Sequence, residues 1–523
     1  MEHEIQVTIG EVEYLLIPHH LNLQEPGDVF DNTDVPQPLV VFVTQPGQRS
    51  PGLLFEVFKE NLTIDPEVYD ELNVWKTKIW TFIKGFTTAS SMSPGPHIIA
   101  KGSTWQPWRV YRDFNATFSV KDNIDIAGHK TTLCNRAWQS LYPAKEKNAA
   151  CVQVLIEAGA ILVGKTKLQA MIMREEPHKA VEFTSPFNPR ADGYQVPSGS
   201  SSGSAVGIGS YNWLNFSIGS DTNGSGRKPA QYNGCFSIRP STGIMNTEGV
   251  VGTFPQFDMP VFFGRDLTRF PEFINVWYGN SELLQKQSQQ KLRILYPRDY
   301  LPTGNQAQSR LIENFIQGLE KASEIEREEI SLAEDWGKEK IAPMGQIMGT
   351  SPSTSNFLEN FREEYKKQYG KPPFVQKAMR WRWEISNKVT IEERNMYWRR
   401  SEIYRYWLLD KIFQVTSEGP MSFMVLPIEE GKPDYRDDDI PPFSILSGYA
   451  SLNMSPMMRA PELTTIVGHV PYESTVTDRE EFLPIAASVI GAPGTDLILA
   501  DLVQKGMEFA NLPMKLKTGR FMY

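Results

Sequence analysis

The chain has 523 residues, 40% of them hydrophobic and 22% charged, and a net charge of −9; this is an ordinary globular composition with ample apolar material for a large core, and its charge argues against general binding to nucleic acid or anionic lipid. No apolar run approaches the roughly 18 residues of a membrane span, and the acidic, glycine-broken opening "MEHEIQVTIG" is not expected to act as a secretory signal. Three cysteines, Cys134, Cys151 and Cys235, stand 17 and 84 residues apart, which fits neither a disulfide framework nor a zinc site, so a reducing, cytoplasmic setting and no metal are expected.

Residues 1–105 read as a β-rich section of unknown role. "EIQVTIG", "VEYLLIP" and "PLVVFVT" are strand-like, being Val-, Ile- and Leu-rich between Gly/Pro breakers. "VYDELNVWKTKIWTFIKGF" is expected to be helical, and "SSMSPGPHIIAKGSTWQPW" has the character of a boundary. From 106 onward the pattern becomes α/β. "ATFSVKD" is a strand, "AACVQVLIEAGA" a helix with Val152, Leu155, Ile156 and Ala160 on one face, and "ILVGKT" a short buried strand. "WLNFSIGS" alternates, with Leu214, Phe216 and Ile218 facing one way. Residues 280–415 are charged and mostly helical, with one strand at "LRILYP" and a loop expected at "GTSPSTSN". The core pattern then returns in "SFMVLPI", "LTTIVGHVP" and a last helix near "TDLILADLVQKGMEF". Strands alternating with helices argue for one large α/β sheet domain over 106–523.

Three motifs point elsewhere and fail on context. "GAILVGKT" at 159–166 matches the phosphate-loop pattern, but a helix precedes it and its middle residues want burial in a strand. "GSSSG" at 199–203 fits a nucleophile elbow on Ser201, yet a proline-containing stretch precedes it. The only histidine downstream, His469, reads as structural. The aromatic-basic stretch 379–407 is read as one amphipathic helix on which Trp383, Asn387, Thr390 and Ile391 share a face. That is not a stripe for stacking bases; its aromatics are expected to be buried or to line a substrate pocket.

The stretch 196–230, "VPSGSSSGSAVGIGSYNWLNFSIGSDTNGSGRKPA", is more informative. A serine-rich turn runs into a small-residue helix, a strand, a second Gly/Ser turn and another helix. Flexible linkers do not sit inside such an alternation, and both turns are expected at one edge of the sheet. Upstream, "SVKDNIDIAG" places Lys121 at a strand end. These motifs resemble those of the amidase signature family of serine hydrolases, in which a Lys-Asp after an early strand precedes "GGSSGGSA" and "GTDTGGSIRxPA" turns. "AGAILVGKTK", "FNPR" and "CFSIRPSTG" resemble the family's connecting segments. The resemblance is close over 115–245 and loose over the last hundred residues.

The resemblance implies an amidase-signature fold, a large mixed β-sheet covered by helices on both sides. It also implies a catalytic triad of Ser225 as nucleophile, Ser200 as bridging serine on a cis peptide, and Lys121 as base. Ser201 would support the lysine by hydrogen bonding. The backbone N–H groups of Thr222, Asn223, Gly224 and Ser225 would form an oxyanion hole, and Asp221 and Arg227 would brace the loop. The chemistry is consistent on its own terms. A serine needs a base, and lysine serves only when neutral. Burial must therefore lower its usual pKa near 10.4 by roughly 2–3, about 3–4 kcal/mol of differential stabilisation. The implied activity is hydrolysis of a carboxamide C–N bond through an acyl-enzyme, with no cofactor and a small-molecule amide or ester as substrate. Ser198, Ser202 and Asn223 stand where the family prefers glycine, Asn tolerating left-handed geometry better than most residues. Gly226 and Lys228 replace apolar residues, and "GKTKLQAM" lacks the family's usual Asn and Glu-Phe. Two alternatives stay open: an acyltransferase or specialised natural-product enzyme on the same fold, and a binding protein without catalytic chemistry. The oligomeric state is also open, a homodimer being one option.

Overall fold

The computed structural model describes residues 116–286, 290–339, 353–416, 418–439, 442–443 and 450–523, with backbone alone over 353–359, and the backbone of three strands nearer the N-terminus. Two of these, β1 (Ile5–Ile9) and β2 (Val12–Leu16), form an antiparallel hairpin, as their β-branched composition predicts. The third, β3 (Phe82–Gly85), lies inside the stretch read as helical. There the backbone is extended, because pairing at a sheet edge suits the aromatic Phe82 and the β-branched Ile83 better than a helix does. The rest of that stretch, "PLVVFVT" and the boundary at 90–108 lie outside the described residues.

The main sheet adds β4 (Thr117–Lys121), β5 (Ile161–Thr166), β6 (Phe216–Asp221), β7 (Phe236–Arg239), β8 (Met259–Gly264), β9 (Leu292–Pro297), β10 (Glu328–Ile330), β11 (Met421–Pro427), β12 (Glu462–Ser474) and β13 (Arg479–Ile490). With β3 they form one eleven-stranded mixed sheet in the order β10-β9-β11-β13-β12-β7-β8-β6-β4-β5-β3. β4 runs parallel to both β5 and β6. The central strands β6 and β8 are buried on both faces; β8 is a nearly continuous apolar run, whereas β6 alternates apolar residues with serine and glycine.

The register of β4 on β6 positions everything that follows. Phe118 pairs with Phe216 and Val120 with Ile218. The two phenylalanine rings stack with centroids 5.3 Å apart, and Phe216 packs against Phe262 and Phe273. On the opposite face Ser119 and Ser217 hydrogen-bond through their hydroxyls at 2.8 Å. That polar, small-residue face accepts the helix α1 (Ser202–Ser210), every residue of which is buried. Its Gly, Ser and Ala side chains let the helix sit close to the sheet. Ser204 reaches Thr166 on β5 at 3.1 Å.

Among its described residues the section 280–415 is mostly helical, but it holds a second strand, β10, beside the one expected at β9, and differs in two further details. Residues 353–356, read as loop, begin the helix α2 (Ser353–Tyr369). The single helix expected over 379–407 is two, α3 (Lys377–Ser386) and α4 (Ile391–Trp407). Thr390 starts the second with a capping box: its hydroxyl accepts from Glu393 N, and the Glu393 carboxylate accepts from Thr390 N. This local signal overrides the apolar periodicity, so Trp383, Asn387, Thr390 and Ile391 do not share one helical face.

Gly219 on β6 is required by close approach. A Cβ there would lie 2.8 Å from Ser201 Oγ and 2.6 Å from the Phe263 ring. Gly219→Ala is therefore expected to destabilise the protein by about 1–3 kcal/mol, the cost of overpacking a filled core, read as a lower denaturation midpoint at unchanged slope.

Candidate functional site

The parallel pairing of β4 and β6 brings their C-terminal ends to one edge of the sheet, where Lys121 and Ser220 meet. Lys121 is fully buried. Its Nζ donates to Ser200 Oγ at 2.8 Å, to Ser220 Oγ at 2.8 Å and to the Ser220 carbonyl at 3.3 Å. Asn123 Nδ2 donates to the same Ser220 hydroxyl at 3.1 Å. Burial lowers the Lys121 amine from 10.5 to about 7, against the opposing pull of the Asp221 and Asp258 carboxylates. The peptide bond between Gly199 and Ser200 is cis. Ser198 before it takes a left-handed conformation, φ 56°, at the position where the sequence departs from glycine.

The two serine-rich turns touch, as their place in the strand–helix alternation predicts. Ser201 N donates to the Ser225 carbonyl at 3.1 Å. Ser200 is 2% exposed, whereas Ser225 is only half-buried. Ser201, expected to support the lysine directly, does so one step removed. Its hydroxyl donates to Ser220 O at 2.9 Å and accepts from Ser220 N at 3.2 Å, and Ser220 in turn meets Lys121. The elbow reading of Ser201 fails on the same geometry, since this hydroxyl is fully buried and engaged with backbone. His469 is exposed and packs on Phe482 and Tyr523.

The 222–226 turn is held from below by a buried charge cluster. Asp221 accepts from Gly224 N at 2.9 Å and Gly226 N at 2.8 Å. It pairs with Arg227 at 2.9 Å, and Arg227 pairs with Glu462 at 2.6 Å. Arg239 approaches Asp221 at 3.7 Å. Asp221 and Arg227 are both 0% exposed, so they are not a surface pair. Burial pushes the Asp221 carboxyl up, but Arg227 outweighs it and holds the group well below the usual carboxylate range. Gly224 takes the positive φ of the turn, 120°. Asn223 is not among the positive-φ residues, so its tolerance of left-handed geometry is not used here. The Gly224 N–H is committed to Asp221, which removes it from the expected oxyanion donors. Asp258, which the sequence reading missed, accepts from the Thr222 hydroxyl and from Phe254 N.

Above these groups opens a cavity of about 460 Å³, within the range of small-molecule sites. Ser200, Thr222, Asn223, Gly224 and Ser225 form its floor. Phe254, Phe257, Met379 and Trp383 line its apolar side, so part of the aromatic-basic stretch does face the pocket. The phosphate-loop pattern at 159–166 is instead strand β5. Its Lys165 is buried against Asp122 at 2.8 Å, clamping β5 to the end of β4. Among the described residues, no group of acidic, Cys or His side chains is placed to hold a metal, and no helix is long and apolar enough to cross a membrane.

A family model described as Amidase matches residues 114–499. Amidase 1 of Oryza sativa subsp. japonica is 37% identical over 177 residues, 33% of this chain and 39% of that protein. Amidase 1 of Arabidopsis thaliana is 40% identical over 150 residues, 29% of this chain and 35% of that protein. The chain thus spans about two fifths or less of the length of these curated relatives. The solved structure of 6-aminohexanoate cyclic dimer hydrolase superposes with a TM-score of 0.57 at 16% identity, covering 76% of this chain and 85% of that one. That likeness shows the same fold.

The unusual state of Lys121 is directly measurable. Its side-chain carbon resonance, assigned by its loss in Lys121→Met, is expected to titrate near pH 7 rather than 10.5. An inflection near 10 rules out the burial described above.

Proposed function

This chain belongs to the amidase family, and we propose that it hydrolyses the C–N bond of a small-molecule carboxamide through an acyl-enzyme on Ser225. The observation that carries the proposal is the 2.8 Å contact between Ser200 Oγ and a fully buried Lys121 Nζ, at the floor of a cavity that also exposes Ser225.

In this reading the neutral Lys121 amine accepts the Ser200 proton as Ser200 takes the proton of Ser225. Ser225 Oγ attacks the carbonyl carbon, and the oxyanion forms against the N–H groups of Thr222, Asn223 and Ser225. Gly224 has a different part: its N–H, donated to Asp221, keeps the turn in shape. On collapse, Ser200 passes the proton to the departing nitrogen and recovers one from Lys121. The C–N bond breaks and an ester on Ser225 remains. Water then attacks that ester through the same relay, releasing a carboxylic acid and restoring both serine hydroxyls. Asp221 and Arg227 brace the turn, and Ser201 and Ser220 keep the lysine and both turns in register. A reducing, cytoplasmic setting suits the three cysteines, which are free and buried.

A fluorophosphonate probe tests the reading without knowledge of the substrate. Ser225→Ala is expected to abolish labelling, whereas Ser201→Ala in folded protein is expected to retain it. Lys121→Ala slows labelling by about 10²–10⁴-fold, the usual contribution of a general base. Because the base must be deprotonated, the wild-type labelling rate falls about tenfold per pH unit below pH 7 and levels above it. Labelling that persists in Ser225→Ala overturns the assignment of the nucleophile, and a rate flat from pH 5 to 9 overturns that of the base.

A further inference from the structure

Among the described residues, one cation on the cavity wall has no counter-ion. Arg174 pairs with Glu176, Lys228 with Glu429 at 2.6 Å and Lys432 with Glu430 at 3.7 Å. Asp434, the remaining acid on that side, accepts from the Tyr232 hydroxyl and lies in the field of Lys228. Arg382, on α3, also lines the cavity. Among the described residues it has no carboxylate within ion-pair distance and no hydrogen-bond acceptor. Its recorded neighbour is the ring of Trp381, 5.8 Å from the guanidinium carbon. Met379, Trp383 and Ile385 of the same helix line the cavity with it. Burial alone lowers its pKa, with no partner opposing it. A guanidinium held this way presents a planar fork of donors to the cavity, a geometry that matches a carboxylate.

We infer that Arg382 is a specificity-determining residue that binds a carboxylate on the substrate, so that the preferred amides are anionic at the end remote from the scissile bond, with an apolar spacer lying against Met379 and Trp383. This rests on the proposed hydrolysis at Ser225, but the recognition is separable from it. The carboxylate belongs either to the acyl half, as in a half-amide of a dicarboxylic acid, or to the amine half, as in an N-acyl amino acid.

The test pairs succinamate, glutaramate and adipamate with butyramide, pentanamide and hexanamide, and N-acetylglycine with N-methylacetamide. The wild type is expected to favour the anionic member of one set by at least about tenfold in kcat/KM, mainly through KM, and the set that responds identifies the half. Arg382→Met brings the ratio to about one, Arg382→Lys keeps part of it, and Arg382→Glu reverses it toward amides carrying an amine. Binding is read independently in Ser225→Ala, where glutaramate or N-acetylglycine should quench tryptophan fluorescence and Arg382→Met should remove that response. Equal rates for neutral and anionic amides, or a preference that survives Arg382→Met in protein with an unchanged melting curve, overturns the inference. If carboxylates bind through Arg382 but no amide is turned over, it is the hydrolytic reading that fails.

Discussion

The parallel pairing of β4 with β6 is the constraint on which the rest of the site depends. Strand register has a period of two, so a slip of one residue sends each side chain to the opposite face. The Phe118–Phe216 stack on one face and the Ser119–Ser217 hydrogen bond on the other both hold one register. In that register Lys121 reaches Ser220, and the turns that follow β6 and precede α1 meet at the same edge. Gly219 then allows Ser201 to approach the strand and join the two turns.

Charge at this edge is managed in two opposite ways. Asp221, Arg227, Glu462 and Arg239 are buried together, and their mutual pairing offsets the cost of removing them from water. Lys121 is buried among hydroxyls, and Asp221 and Asp258 act on it only at a distance, so desolvation wins. Lowering its pKa from 10.5 to about 7 corresponds to about 5 kcal/mol of preference for the neutral amine. The sign of the linkage follows. Between pH 7 and 10.5 the unfolded chain holds a proton on this lysine that the folded chain has released, so this group's contribution to stability increases as pH rises through that window. The fold thus sacrifices stability near neutral pH at the position where a free amine is useful.

Much of the architecture is legible locally. The β-branched runs at β1, β2, β4, β5 and β6 are strands, and the small-residue tract 202–210 is a helix that fits tightly on a sheet. Misreadings arise where one local signal competes with another. Phe82 and Ile83 belong to a stretch expected to be helical, but an edge pairing claims them. The apolar periodicity of 379–407 concealed the capping box at Thr390 and Glu393. Asn223 seemed the residue to absorb an unusual backbone angle, but Gly224 beside it does so without meeting a Cβ penalty.

The sequence by itself determined the order and chemistry of the two serine turns, the lysine that ends β4 and the glycines that let those turns close, because each depends on residues near one another in number. Only the tertiary structure decided that Ser220 rather than Ser201 meets the lysine, that Glu462 and Arg239 complete the cluster beneath the turn, that Gly224 N–H is taken by Asp221, and that Arg382 faces the cavity without a described partner. The reason is that burial and charge are sums over the whole fold. The proton on Lys121 is set by burial and by groups such as Ser200, 79 residues away, and Ser220, 99 residues away, and no short stretch of sequence contains them.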